Sequence, residues 1–200
     1  MLLARGLTRT VGARTLFAGL DLDVATGSIV GVRGPSGTGK TLLLRLLAGL
    51  DPLEQGTVTL DGQPPEAVGL PAWRARVAYV AQGAPPRPGT PAELEATVAR
   101  FASQRRARAA AAWPPSANGS TRPARWAQPL GASCRGERQR AHLAVALAGA
   151  PDVLLLDEPT AALDADAVAR VEPRSRARPC GRTIGAARAG RQHRLDLAAA

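Results

Sequence analysis

The sequence predicts an α/β fold with a mainly parallel sheet, preceded by a small antiparallel region. Three observations carry this prediction. Residues 28–48 have the pattern of a strand, a glycine-rich loop and a helix, residues 153–156 form an unbroken apolar run, and residues 1–24 alternate between apolar and polar side chains. Short apolar runs are typical of buried parallel strands, whereas alternation is typical of half-buried antiparallel strands. The 200 residues are enough for one domain with a substantial core.

The first two elements are predicted to be antiparallel strands at residues 1–7 and 16–24. Apolar residues occupy mostly every second position of the second stretch, as on a strand with one buried face. Gly12 and residues 25–27 provide turns after the two strands. We therefore expect the chain to begin with a pair of half-buried strands.

A phosphate-binding loop is predicted after the third strand, at residues 28–32. Gly34 is followed by four residues and then by Gly39, Lys40 and Thr41, which is the pattern G-x-x-x-x-G-K-[ST]. Such a loop can turn its backbone N–H groups toward the oxygens of a triphosphate. The residues predicted to bind the nucleotide here are Gly34, Pro35, Ser36, Gly37, Thr38, Gly39, Lys40 and Thr41.

The last two residues of the loop have separate predicted tasks. Lys40 would contact the β- and γ-phosphates, and the Thr41 hydroxyl would hold Mg²⁺. A helix at residues 41–48, stopped by Gly49, completes the order of strand, loop and helix that the motif requires. The alternative is a surface turn rich in glycine and serine, followed by a core helix.

Lys40 is the one lysine among 26 basic side chains. Arginine's planar guanidinium cannot replace a compact ammonium between phosphates, so this usage favours a functional role for Lys40. The formal net charge is +10, which would by itself suggest nucleic acid or an anionic membrane surface as a partner. The excess of arginine over lysine favours the base composition of the gene as a competing explanation.

Two further strands and a helix are predicted in the middle of the chain. Residues 56–62 end in an Asp-Gly turn, and residues 76–81 form a strand that ends at Gln82, where a polar residue can reach an active site. A proline-rich run then leads into a helix at residues 93–108. Residues 107–130 show no sustained period and are predicted to be a poorly ordered insertion.

Two carboxylates follow the second apolar run. After a helix at residues 136–148, the strand at residues 153–156 ends in Asp157 and Glu158. A nucleotide hydrolase needs such groups to hold Mg²⁺ and to orient water. We predict that Asp157 reaches the metal and that Glu158 polarises the attacking water; the alternative is an acidic turn at a strand end.

The cysteines, the histidines and the distribution of apolar residues argue against a disulfide-rich protein, a metal-binding motif and a membrane-spanning protein. Cys134 and Cys180 are too few for a disulfide framework and lack metal-ligand spacing, as do the isolated His142 and His193, so we expect a reducing cytosol. The apolar start is too short for a signal peptide, and no run approaches the ~18 apolar residues of a membrane span. Any membrane contact is expected to be made through a partner.

Together these motifs resemble the nucleotide-binding domain of ABC transporters. The resemblance is carried by the loop at residues 34–41, by Gln82, by GERQR at residues 136–140 and by VLLLDEPTAALD at residues 153–164. It implies a P-loop NTPase fold with a RecA-like core, an N-terminal antiparallel β-subdomain and an inserted α-helical subdomain.

The resemblance also implies boundaries within a single ATP-binding domain of residues 1–200. The core with its β-subdomain would comprise residues 1–84 and 147–200, and the helical subdomain residues 85–146. Such a bacterial subunit would bind and hydrolyse MgATP to drive a membrane-spanning permease. It would lie in the cytoplasm, attached to the inner face of the membrane through that permease, and ATP would close a head-to-tail pair of cassettes.

By the same resemblance, Gln82 would contact Mg²⁺ and the partner interface, and Glu158 would be the catalytic base. Asp164 would lie across the dimer. Cys134 and Gly136, in the signature region, would contact the γ-phosphate of the nucleotide bound to the other cassette.

The chain departs from the family pattern at several of these places. Cys134 and Arg135 stand where the signature has serine and its first glycine, and Val11 stands where an aromatic residue would stack on adenine. The position of the switch histidine holds Ala189, and His193 comes four residues later.

These departures leave open a cassette that binds nucleotide but is impaired in hydrolysis. The net charge of +10 leaves open a second alternative, an ABC ATPase associated with nucleic acid. Proteins of the second kind usually carry tandem cassettes, zinc modules or long coiled coils, which this sequence lacks. We also hypothesise that residues 107–135 and 171–200 have been read in a shifted frame or have drifted without selection.

Overall fold

The structure is a computed structural model that describes residues 1–83, 88–101, 135–149, 151–157, 182–185 and 193–197. The strands in these ranges are β1 (Leu2–Val11), β2 (Arg14–Val24), β3 (Ile29–Arg33), β4 (Gln55–Leu60), β5 (Val77–Val80), β6 (Val153–Leu156), β7 (Arg182–Gly185) and β8 (His193–Asp196). The helices in the same ranges are α1 (Lys40–Leu47), α2 (Pro65–Val68), α3 (Leu70–Arg76), α4 (Pro91–Ala99) and α5 (Arg135–Ala148). The predicted α/β fold is confirmed, with one antiparallel and one parallel sheet.

The antiparallel sheet has the strand order β2-β1-β4. β1 and β2 form a hairpin that turns at Gly12, whose φ of 61° lies in the left-handed region. Pairing continues to Val11 opposite Arg14, so both strands are longer than predicted. These two residues are exposed. Backbone hydrogen bonding extends the strands beyond the point where burial leaves a pattern in the sequence.

The parallel sheet has the strand order β5-β6-β7-β3-β8. All four residues of β6 are buried, as predicted for residues 153–156. β3 lies between β7 and β8, with Val30 level with Ile184 on one side and with His193 on the other. β8, with the sequence HRLD, was not predicted, because it neither alternates nor forms an apolar run. Parts of residues 171–200 therefore contribute strands to the sheet, and the frame-shift idea stays a hypothesis.

The two faces of the parallel sheet pack against different helices. Odd-numbered residues of β5 and β6 pack in the apolar cluster that contains the leucines of α1. Even-numbered residues pack with Leu143 of α5. This alternation is expected of strands. Leu43, Leu44 and Leu47 of α1 are fully buried, and each such side chain stabilises the fold by about 1.5–3 kcal/mol. Helices on both faces thereby fix the sheet whose edge carries the candidate site.

Two short helices before β5 were not predicted. α2 has four residues and α3 has seven, too few to show a helical period in the sequence. Trp73 of α3 is fully buried, and its indole N–H donates to the Leu47 carbonyl oxygen at 3.0 Å. α3 is therefore held by its contact with α1.

α4 begins before the predicted start at residue 93. Thr90 and Glu93 form a capping box, in which the Thr90 hydroxyl accepts from the Glu93 N–H and the Glu93 carboxylate accepts from the Thr90 N–H. The helix ends at Ala99, so residues 100 and 101, which were predicted to be helical, lie outside it. The rest of that stretch, and the insertion predicted at residues 107–130, lie outside the described residues.

Candidate nucleotide-binding site

The glycine-rich loop joins the carboxyl end of β3 to α1, and two of its glycines touch other parts of the chain. At Gly34 a Cβ atom would lie 2.8 Å from the Leu197 carbonyl oxygen and 2.8 Å from Thr38 Oγ1. At Gly39, which precedes α1 with a φ of 89°, a Cβ atom would lie 3.2 Å from Leu16. Larger residues would push the loop off its supports, so its shape depends on glycine at both positions.

The loop is also held from within. Thr38 is 1% exposed, and its hydroxyl donates to the Pro35 carbonyl oxygen at 2.9 Å. Ser36 and Gly37 are exposed. Gly39 gives α1 no side-chain cap. The first N–H groups of the helix, with the positive end of its dipole, can therefore bind an anion.

Lys40 folds back over the loop. Its ammonium donates to the carbonyl oxygens of Gly34 at 2.8 Å and Pro35 at 2.7 Å. These contacts hold the positive charge against the loop that is predicted to cradle phosphate. A phosphate in the loop would offer this ammonium charged oxygens, which bind more strongly than carbonyls do.

Thr41 and Asp157 meet although they are 116 positions apart in the sequence. The Thr41 hydroxyl donates to Asp157 Oδ2 at 2.9 Å. Asp157 is 3% exposed and directly follows β6. Its N–H donates to the Val80 carbonyl oxygen at 3.0 Å, which continues the β5–β6 pairing by one residue. Two of the three predicted metal ligands, Thr41 and Asp157, thus lie together at the carboxyl edge of the parallel sheet.

Tyr79 is a member of this site that the sequence reasoning missed. Its hydroxyl donates to Asp157 Oδ2 at 3.0 Å. Burial, and then the negative charge of Asp157, raise the pKa of Tyr79 to about 12, so the phenol keeps its proton at neutral pH. A hydroxyl in the otherwise apolar strand β5 is a sequence signal for some polar partner, but it does not identify Asp157 as that partner.

Gln82 is exposed just beyond the carboxyl end of β5, at the same edge of the sheet as Asp157. The residue before it, Ala81, is bound by a second glutamine that was not predicted. Gln139 of α5 is 3% exposed, and its Nε2 donates to the Ala81 carbonyl oxygen at 2.8 Å. Within the described part of the chain, Gln139 Oε1 has no hydrogen-bond partner. α5 is therefore tied to the segment that presents Gln82.

Several predicted site residues are not brought together by the described structure. Glu158, Cys134, Asp164 and Ala189 lie outside the described residues, and Gly136 lies in the first turn of α5. His193 starts β8 level with Val30, whereas the loop leaves β3 after Arg33. Three residues of strand span about 10 Å. The backbone of His193 is therefore set back from the phosphate loop.

The position predicted to contact adenine is open. Val11 is 52% exposed at the end of the hairpin, opposite Arg14. An aliphatic side chain provides apolar contact without the stacking of an aromatic ring.

The residues present fit Mg²⁺. This ion prefers oxygen ligands, and it is usually held by one or two protein groups together with phosphate oxygens and water. A hydroxyl from Thr41 and a carboxylate from Asp157 match that donor set. Within the described ranges, no cluster of three or more histidine, cysteine or acidic side chains offers a site for a metal held by protein groups alone. A metal shared with a nucleotide is the arrangement these residues can support.

A phosphate loop after one strand of a parallel sheet, with an aspartate at the end of another strand, defines a P-loop NTPase. The sequence model of the ABC transporter family matches residues 17–161. The chain therefore belongs to the ABC transporter family.

Known relatives agree with this assignment. The chain is 39% identical over 168 residues to the aliphatic sulfonates import ATP-binding protein SsuB of Mycobacterium sp. (strain MCS), a match that covers 80% of this chain and 61% of the relative. The chain thus spans about three fifths of the length of this curated relative.

Solved structures confirm the fold. An ATP-binding subunit of an ABC transporter superposes with a TM-score of 0.79 at 18% identity, covering 98% of this chain and 85% of that one. A bacterial Atm1-family ABC exporter with ATP bound gives a TM-score of 0.77 at 28% identity, covering 98% of this chain and 36% of that one. Among the described residues, no helix has the length and apolar character needed to cross a membrane.

Proposed function

We propose that this chain is the ATP-binding subunit of an ABC transporter and that it binds and hydrolyses MgATP to drive a membrane-spanning permease. The observation that carries the proposal is the 2.9 Å hydrogen bond between Thr41 and Asp157, at the end of a loop that also presents Lys40. Anion-binding N–H groups, an ammonium and two oxygen ligands for a divalent cation are what a metal–nucleotide complex requires. Membership of the family supports the same function.

Phosphate binding is assigned to the loop and to Lys40. The N–H groups at the start of α1 would bind phosphate oxygens. The ammonium of Lys40, which contacts the carbonyl oxygens of Gly34 and Pro35, would pair with the β- and γ-phosphates. Charge-assisted hydrogen bonds of this kind are about twice as strong as neutral ones.

Hydrolysis is assigned to the carboxylates at the end of β6. Mg²⁺, when bound, would supply positive charge that offsets the charge of the phosphates. Thr41 and Asp157 would hold the ion. Gln82, at the same edge of the sheet, would also contact it. Glu158, the residue after Asp157, would accept the proton of the attacking water.

The proposed partners are a permease and a second cassette. Cys134 and Gly136 would face the nucleotide of the second cassette, and Asp164 would lie at the shared interface. The subunit would then sit on the inner face of the membrane, attached through the permease. The proposed core of residues 1–84 and 147–200 and the proposed helical insertion of residues 85–146 belong to the same hypothesis. Because the similar proteins include both an import subunit and an exporter, the proposal specifies neither cargo nor direction.

A second candidate function is MgATP binding with impaired hydrolysis. Cys134 and Arg135 replace the signature serine and glycine, and Ala189 stands at the position of the switch histidine. The set-back register of His193 also favours this candidate, because a residue level with Val30 is remote along the sheet from the phosphate loop.

Nucleotide binding and turnover, measured separately, test the proposal. Wild type should bind ATP saturably with Mg²⁺ and hydrolyse it. Lys40→Ala should weaken ATP binding by about tenfold or more, because a charge-assisted contact is lost. Glu158→Gln should keep the affinity and lose about a hundredfold or more in turnover. Arg100→Ala, which removes a positive charge at the exposed end of α4, is the matched control and should change neither.

The outcomes separate the candidates. Affinity without turnover in the wild type would favour the second candidate function. Folded protein with no saturable, Lys40-dependent ATP binding would contradict both candidates.

A further inference from the structure

The hydroxyl of Tyr79 contacts the carboxylate on which the proposed metal site depends. It donates to Asp157 Oδ2 at 3.0 Å, the same oxygen that accepts from Thr41 at 2.9 Å. We propose that Tyr79 is a positioning residue that fixes the Asp157 carboxylate for binding Mg²⁺ with the nucleotide. This inference rests on the proposed function, because it takes Asp157 as a ligand of the metal.

The register of the sheet explains how Tyr79 reaches Asp157. Tyr79 on β5 is paired with Leu155 on β6, and Asp157 comes two residues after Leu155, directly after the end of β6. Both Tyr79 and Leu155 pack in the α1-side cluster, and Asp157, at the next odd position, lies toward the same face. Neighbouring strands lie about 4.8 Å apart and two residues of strand span about 6.6 Å, so the two Cα atoms are about 8 Å apart, a gap that an aromatic side chain can bridge. The phenol therefore contacts a carboxylate that a shorter hydroxyl side chain on β5 would not reach.

A structural role alone does not call for the hydroxyl. Phenylalanine would pack in the same apolar cluster without a polar group, and a buried hydroxyl costs free energy unless it is hydrogen-bonded. The partner of this hydroxyl is Asp157, the residue at the end of the buried strand. The ring of Tyr79 is held by packing, and its hydroxyl can therefore fix the orientation of the Asp157 carboxylate.

The two donors to Asp157 have different freedom. Thr41 is itself a predicted metal ligand, and it is an exposed residue in the first turn of α1. Tyr79 is anchored in a strand and packed beside α1. When Thr41 binds the metal, the phenol supplies a fixed hydrogen bond that keeps the carboxylate in one orientation. Hydrogen-bond partners of metal-binding carboxylates commonly contribute about 10–100-fold in metal affinity.

The first experiment measures Mg²⁺ dependence in full-length protein. Mg²⁺ is titrated against a fixed amount of a non-hydrolysable ATP analogue, and the midpoint is compared between wild type and Tyr79→Phe. We expect the midpoint to rise by about tenfold or more in Tyr79→Phe, while analogue binding in EDTA stays unchanged. Trp73→Phe is the matched control, because it also removes a hydrogen bond donor from an aromatic ring in the same cluster but its donor contacts a backbone carbonyl. Its Mg²⁺ midpoint should equal that of the wild type.

The second experiment uses the fact that Tyr79 is the only tyrosine in the chain. Protein labelled with ¹³C at tyrosine Cζ gives one signal, which reports the hydrogen bond of this phenol. We expect the signal to move when Mg²⁺ is added to the analogue complex, and to move also in the Asp157→Asn variant without metal. This readout does not require the Tyr79→Phe variant to fold.

Either of two results would overturn the inference. One is an equal or lower Mg²⁺ midpoint in Tyr79→Phe, and the other is a ¹³C signal that Mg²⁺ leaves in place although the analogue is bound. Neither result contradicts the proposed function, because the wild type binds MgATP in both cases. Absence of any nucleotide binding in the wild type would instead contradict the proposed function itself.

Discussion

At the residue scale, two glycines of the phosphate loop have similar positive φ angles but differ in their surroundings. Gly37 and Gly39 have φ values of 79° and 89°. Another L-residue adopts such values at a cost of about 1–2 kcal/mol. A Cβ atom at Gly39 would lie 3.2 Å from Leu16 and 3.3 Å from Phe17, whereas one at Gly37 would have no described atom within 4 Å. The pair therefore separates the cost of conformation from the cost of contact.

We expect Gly39→Ala to lower the free energy of unfolding by about 1 kcal/mol or more beyond the loss caused by Gly37→Ala, because only the first crowds β2. Urea denaturation of both variants measures the difference. Equal losses would mean that β2 yields to the added methyl group at no cost.

The same scale shows which site residues a sequence can predict. Lys40 and Thr41 follow from the spacing of the glycine-rich loop, and Asp157 from its place after an apolar run. Tyr79 and Gln139 do not, because their hydrogen bonds join positions 78 and 58 residues apart and depend on the register of β5 and the packing of α5. Local patterns carry no record of such pairings.

At the element scale, Gln139 ties α5 to the end of β5. Gln139→Glu should destabilise the fold more than Gln139→Met, because glutamate would bring a charge to a 3% exposed position beside the Ala81 carbonyl oxygen. Methionine keeps the shape, removes the amide oxygen that has no partner in the described part, and leaves one carbonyl unsatisfied. We expect a loss of about 1–3 kcal/mol for methionine.

Chemical denaturation at neutral pH measures the free energy of unfolding of the two variants and shows which is less stable. Glutamate and methionine variants of equal stability would contradict a buried position for this side chain. Loss of nucleotide turnover in Gln139→Met, with the fold intact, would show that α5 also controls the segment that presents Gln82.

Elements were predictable where burial leaves a pattern. β3, α1 and β6 each combine an apolar stretch with a clear end signal, and their predicted bounds agree with the structure within one residue. α3 and β8 lack this property, since one is a seven-residue helix and the other is an edge strand with the sequence HRLD. Tertiary contacts, with α1 in one case and β3 in the other, give these segments their structure.

At the scale of the whole molecule, the net charge of +10 suggests affinity for nucleic acid as well as for phosphate groups. If that charge reflects composition alone, binding to duplex DNA should be non-specific and should fall by about 10³-fold or more between about 50 and 200 mM salt. MgATP should not alter it. A filter-binding or anisotropy titration at several salt concentrations measures this. DNA affinity that persists at high salt and responds to MgATP would favour a nucleic-acid-associated ATPase instead.

β3, the strand that carries the phosphate loop, has as its two sheet neighbours β7 and β8, which come far later in the sequence. The carbonyl oxygen of Leu197, directly after β8, lies against Gly34. During synthesis, residues 29–33 leave the ribosome long before residues 182–197 can flank them. The complete loop is therefore not yet available to bind a nucleotide while the nascent chain begins to fold. A premature stop codon before residue 182 would remove both strands that flank β3, and the loop would then follow a strand with no parallel neighbour on either side.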